Sequence, residues 1–100
     1  MKKFEELILS EIPVLVDFYA TWCAPCRNMH PVLEELKKEM GESLRIAKID
    51  VDRHEILASE QRIQSIPTLM LYKQGKLLWK HNGFIPLAQL KESLGKALKS

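Results

Sequence analysis

Two thiols three positions apart, Cys23 and Cys26, are the only cysteines in the chain, and they stand where an apolar run gives way to a helical pattern. A thiolate is a nucleophile, and a Cys-x-x-Cys loop is short enough for the second thiol to attack a mixed disulfide held on the first. Such a pair can cycle between dithiol and disulfide. The run Val14-Leu15-Val16-Asp17-Phe18-Tyr19-Ala20 is β-branched, aromatic and continuous, which predicts a central strand buried on both faces. A helix follows at once, and Pro25 fits its first turn, where no backbone N–H is required. Cys23 then lies at the helix start and Cys26 one turn in. Unpaired N–H groups and the positive end of the helix dipole stabilise a thiolate there, making Cys23 the expected nucleophile. The same spacing suits two structural thiols or half of a zinc ribbon, although a ribbon needs a second ligand pair. His30, four residues after Cys26, adds a third potential ligand, but no fourth is evident and Pro31 disturbs the register, so no metal is expected.

The elements that must position these thiols have to come from one small α/β domain spanning residues 1–100, since 100 residues leave no room for two. A composition of 46% hydrophobic and 28% charged residues is that of a globular protein and argues against disorder. The net charge is +2, with Lys and Arg dispersed, so neither a nucleic-acid nor an anionic-membrane footprint is present. No apolar run approaches the ~20 residues needed to span a bilayer. Met1-Lys2-Lys3 is basic, but Glu5 and Glu6 follow and no signal-type apolar region appears, so a cytoplasmic location is expected. A reducing cytosol disfavours a structural staple and favours a redox pair.

Phe4, Leu7, Ile8 and Ile12 predict a short amphipathic helix over about Lys3 to Glu11, ended by Pro13. Met29, Val32, Leu33, Leu36 and Met40 carry the helix after the cysteines to about Met40, with Gly41 as its C-cap and Pro31 kinking it. Leu44 to Val51 predicts a strand parallel to the first through a right-handed crossover. Asp52 and Glu55 form a capping-box pattern for a helix over Arg53 to Arg62. Thr68 to Lys73 and Leu77 to Asn82, joined at Gln74-Gly75, predict an antiparallel hairpin, and Leu87, Leu90, Leu94 and Leu98 a terminal helix. Four polar positions stand out. Asp17 interrupts an apolar strand, where a carboxylate is either solvated at an edge or buried at a cost. Lys48 lies in mid-strand, where it can simply snorkel to solvent. His54 and His81 lie in surface-like contexts.

The sequence Val14-Leu15-Val16-Asp17-Phe18-Tyr19-Ala20-Thr21-Trp22-Cys23-Ala24-Pro25-Cys26 resembles the strand and active site of thioredoxins, and Ile66-Pro67-Thr68 and Gly83 match two further marks of that family. The resemblance spans nearly the whole chain. It implies a thioredoxin fold, here a four-stranded mixed sheet flanked by helices, since the usual strand before the first helix has no room. It implies a thiol-disulfide oxidoreductase that reduces protein disulfides through Cys23 and Cys26. In this reading Asp17 lies beneath Cys26 as a proton acceptor with a pKa raised by desolvation, and Lys48 neighbours Asp17. A cis Ile66-Pro67 bond would set the Ile66 backbone against Cys23, and Trp22, Pro25, Val51, Ile66, Gly83 and Phe84 would rim the sulfurs as a surface for substrate proteins. No bound cofactor is implied. Electrons would come from NADPH through a flavin-containing reductase of the thioredoxin-reductase kind, to a monomeric protein. Ala24 stands where glycine is usual and Arg27 where lysine is common; retained Trp22 and Pro25 point to the reducing branch. A disulfide oxidase or isomerase, and a redox-independent binding module, are the alternatives.

Overall fold

The computed structural model describes residues 2–99. Four helices and four strands follow one another as α1 (Lys2–Ile8), β1 (Val14–Tyr19), α2 (Ala24–Met40), β2 (Arg45–Asp50), α3 (Glu55–Glu60), β3 (Thr68–Lys73), β4 (Lys76–Asn82) and α4 (Leu87–Lys99). The strands make one mixed sheet in the order β2-β1-β3-β4. β1 runs parallel to β2 and antiparallel to β3, and β3 pairs antiparallel with β4. Among the described residues the sheet therefore has four strands, with β2 and β4 at its edges, as the sequence pattern predicts.

Both faces of β1 are covered. Because side chains alternate along a strand, Leu15 points to one face and Val14, Val16 and Phe18 to the other. Leu15 packs with Met29, Leu33 and Leu36 of α2 and with Leu90 and Leu94 of α4. The opposite face packs Val14, Val16 and Phe18 against Phe4 of α1 and Leu57 of α3. Phe4 is held edge-on to Tyr72, with ring centroids 5.7 Å apart. Asp17 shares the Leu15 face, so α2 closes over it.

Four local expectations are corrected by the structure. α1 ends at Ile8, earlier than its apolar spacing predicts, because Gly75 N–H donates to the Ile8 carbonyl at 2.8 Å and Gln74 N–H to the Ser10 carbonyl at 3.0 Å. Ile12, counted in the apolar stripe, is exposed. The Asp52/Glu55 capping box does not form: α3 begins after His54 with no side-chain cap, and the Asp52 carboxylate accepts from the Trp22 indole instead. His81 is half-buried and stacks on Trp79 with ring centroids 5.8 Å apart, rather than standing free in solvent.

The hairpin turn explains its own sequence. Gln74 and Gly75 both have positive φ, 52° and 83°, as a two-residue hairpin loop requires. A Cβ on Gly75 would lie 3.2 Å from Leu9 Cδ2, so the turn also seats the tail of α1. Gly75→Ala is expected to cost about 1–2 kcal/mol. Urea titration of the oxidised protein checks this, and an unchanged midpoint would mean that the turn relaxes freely.

Candidate active site

The cysteines occupy the corner between β1 and α2. Cys23 is the N-cap of α2 in an extended conformation, and Pro25 lies in the first turn. Its sulfur accepts the Cys26 backbone N–H at 3.2 Å, which satisfies one of the donors a helix start leaves unpaired. Cys23 and Cys26 are joined as a disulfide with Cα atoms 5.2 Å apart. Both are buried, and Tyr19, Val51 and Ile66 pack against them and Ala20.

The Ile66–Pro67 peptide bond is cis, and the Ile66 carbonyl oxygen lies 3.8 Å from Cys23 Sγ. Gly83, at φ 94°, donates its N–H to the Pro67 carbonyl at 2.7 Å, which brings the start of the following loop beside that segment. Of the rim residues named from sequence, Val51 and Ile66 therefore touch the sulfur cluster. Trp22, Pro25 and Phe84 are exposed. Trp22 is 67% exposed, with its indole N–H donating to Asp52 Oδ2 at 2.8 Å. That bond fixes the ring at the edge of the site while leaving its face open.

Asp17 is only 1% exposed, and its Oδ1 has no hydrogen-bond partner. Burial pushes its pKa up from 3.8 to about 6, against the opposing pull of the Lys48 and His30 cations. Lys48 is its register partner on β2. The Lys48 side chain reaches the surface, passes over the Tyr19 ring with Nζ 5.9 Å from its centroid, and contacts His30 Nδ1. Tyr19, Ala20, Thr21, Cys26, Arg27, His30 and Lys48 line a cavity of about 230 Å³ that opens the resolving side of the disulfide to solvent.

His30, Tyr19 and Asp52 were not among the residues assigned to the site from sequence. His30 lies one turn beyond Cys26, and that i, i+4 spacing was its sole signal. The structure gives it no metal partners: it engages Lys48 and Glu34, and no cluster of three or more His, Cys, Asp or Glu side chains suited to a metal occurs among the described residues.

The family model for thioredoxin matches residues 1–96. The chain belongs to the thioredoxin family. It is 47% identical over 89 residues to a thioredoxin of Bacillus subtilis, covering 89% of this chain and 86% of that protein. It is 40% identical over 97 residues to the chloroplastic thioredoxin Y of Oryza sativa, covering 96% of this chain but only 58% of that protein's length. The structure superposes on chloroplastic thioredoxin z with a TM-score of 0.90 at 32% identity, covering 99% of this chain and 90% of the other. A thioredoxin fold carrying its Cys-x-x-Cys pair at this corner is a dithiol-disulfide oxidoreductase of the protein-disulfide-reductase kind.

Proposed function

We propose that this thioredoxin-family protein reduces disulfides of other proteins in a reducing, cytoplasmic compartment, with Cys23 attacking and Cys26 resolving. The observation that carries the division of labour is the N-cap: a backbone N–H already points at Cys23 Sγ, so the reduced form meets a donor positioned for a thiolate. In the first step the Cys23 thiolate attacks a substrate disulfide, forms a mixed disulfide and expels one substrate thiolate. Cys26 then passes its proton to the Asp17 carboxylate, directly or through a water, and attacks Cys23 Sγ. The Cys23–Cys26 bond forms as the mixed disulfide breaks, and the second substrate sulfur leaves as a thiolate that takes up a proton from solvent. Lys48 adjusts the charge of Asp17 during this step.

The Ile66 main chain and the apolar rim of Trp22, Pro25, Val51, Pro67, Gly83 and Phe84 supply the docking surface. Main-chain bonds and apolar area carry little sequence information, which suits many substrate proteins. The protein acts as a monomer without a bound cofactor, and its disulfide is reduced by a flavin-containing, NADPH-dependent reductase. Confinement of both cysteines to the redox pair supports a reducing compartment.

The reduction potential tests direction. Trp22 adjoins the sulfurs, so its fluorescence in glutathione buffers follows the equilibrium. A potential well below the glutathione couple is expected. Each about 30 mV corresponds to ~1.4 kcal/mol for this two-electron couple, so a value at or above that couple would mean that the Ala24 site donates disulfides instead.

A further inference from the structure

Two cations on the resolving side of the disulfide are held in place by neutral groups rather than by carboxylates. The Arg27 guanidinium donates to the Thr21 carbonyl at 3.0 Å. Lys48 lies over the Tyr19 ring, with Nζ 5.9 Å from its centroid, and contacts His30 Nδ1. Among the described residues neither cation has an ion-pair partner, whereas Lys38, Lys91 and Lys96 are each paired with a glutamate. Glu34 is engaged by His30 Nε2 at 2.6 Å and lines the adjoining hollow. Asp17 feels the Lys48 charge, but it is buried and does not line the cavity.

The local field at this corner favours an anion. No acidic residue stands in the first turn of α2, where the helix dipole opposes a cation such as Arg27. A guanidinium carries five N–H donors in a planar fork and an ammonium carries three, so most of the donors of Arg27 and Lys48 are left over. Both side chains border the cavity of about 230 Å³, and its other described lining residues, Tyr19, Ala20, Thr21, Cys26 and His30, include no carboxylate. A water's share of liquid volume is about 30 Å³, so a carboxylate fits there together with several waters.

We propose that this cavity seats the carboxylate of an acidic residue flanking the substrate's disulfide, with Arg27 as the planar fork and Lys48 as the second cation. The proposal rests on the reading of the protein as a disulfide reductase and names a feature of its substrates. The substrate sulfur is joined to Cys23, whose Cα lies 5.2 Å from that of Cys26 in the cavity wall. An extended chain advances about 3.5 Å per residue, so an Asp or Glu within about two positions of the substrate cysteine reaches the seat. Main-chain and apolar contacts accept many sequences, and the seat adds a preference among them.

The test uses two disulfide peptides that differ only in a Glu or a Gln beside the cysteine, reduced by the parent, Arg27→Gln and Arg27→Lys. At low salt the parent is expected to favour the Glu peptide roughly fivefold in kcat/KM, through KM. That ratio is expected to fall below about twofold in Arg27→Gln, to survive in part in Arg27→Lys, which keeps the charge without the fork, and to fade at about 0.5 M salt. All three proteins are expected to reduce the Gln peptide alike, which a merely structural role for Arg27 would not allow. Equal rates on the two peptides in the parent, or an undiminished ratio in Arg27→Gln, would overturn the proposal. Oxidised glutathione tests the other source of a carboxylate: if Arg27→Gln slows its reduction and leaves the peptide ratio at the parent's value, the seat serves a small disulfide and the proposal falls. Binding without turnover separates the seat from the reductase reading. With serine in place of cysteine, the Glu peptide is expected to shift the Arg27 Nε–H resonance of the oxidised parent while the Gln peptide leaves it in place, and equal shifts would overturn the seat. If the Glu peptide alone shifts the resonance and neither disulfide is reduced, the seat stands and the reductase reading falls.

Discussion

Cys23→Ser is expected to abolish protein-disulfide reduction, lowering the single-turnover rate by about three orders of magnitude or more, because a serine hydroxyl at this corner is not ionised near neutral pH. Cys26→Ser is expected to behave differently. Its Cys23 remains at the helix N-cap, where the main-chain N–H that meets the sulfur is kept by serine at position 26. Attack on substrate therefore proceeds, but no thiol lies near enough to resolve the product, and the mixed disulfide accumulates. Mass spectrometry of each variant mixed with a disulfide-containing protein reads both outcomes. A covalent adduct on Cys23→Ser and none on Cys26→Ser would reverse the roles assigned to the two sulfurs.

The second large effect belongs to Asp17. A carboxyl raised from 3.8 to about 6 binds its proton more tightly in the folded than in the unfolded chain. Between those two values the folded state holds more protons, so folding stability contributed by this group is present below the unfolded value and is lost as the pH rises through about 6. The shift of about two units corresponds to roughly 3 kcal/mol, which the ionised carboxylate costs the folded protein at about pH 8. Asp17→Asn removes that cost. The variant is expected to be more stable than the parent by about 2–3 kcal/mol at about pH 8, and to lose this advantage at about pH 4, where the parent carboxyl is neutral. Urea unfolding of both oxidised proteins at the two pH values measures it. A stability difference independent of pH would mean that Asp17 is not desolvated. The same variant is expected to slow resolution by about a hundredfold, the scale of a missing general base, while initial attack by Cys23 is unaffected.

These two effects pull in opposite directions on one residue. Asp17 has a buried, unpartnered oxygen in the middle of β1, a position that packing alone would fill with an apolar side chain. The site thus retains a group that opposes folding where the chemistry needs a base with a pKa near neutrality.

Much of the architecture was legible along the chain. The apolar run at Val14–Tyr19, the helical spacing of Met29, Leu33 and Leu36, and the positive-φ pair Gln74-Gly75 each encode local geometry through periodicity or backbone preference. The corner bearing Cys23 and Cys26 was legible for the same reason: it is a junction between two local patterns. Where α1 ends was not. Its last carbonyl, of Ile8, is taken by Gly75 and the Ser10 carbonyl just beyond it by Gln74, residues distant in sequence, and no local pattern records a partner that arrives by folding. Asp52 reads locally as a cap for α3, yet the indole of Trp22 competes for its carboxylate and wins it.

By itself, then, the amino-acid sequence determined the order of the elements, four strands among them, and two thiols at a helix start, because these follow from short-range alternation and spacing; the single mixed sheet and the redox use of the thiols were what the resemblance to thioredoxins implied. The tertiary structure alone decided how far Asp17 is desolvated and which groups face it. α2 must close over the Leu15 face of β1 before the carboxyl leaves water, and the β1–α2–β2 crossover must set Lys48 beside Asp17 and within reach of His30. Burial and electrostatics depend on distances between side chains of different elements, and those distances exist only once the elements have packed.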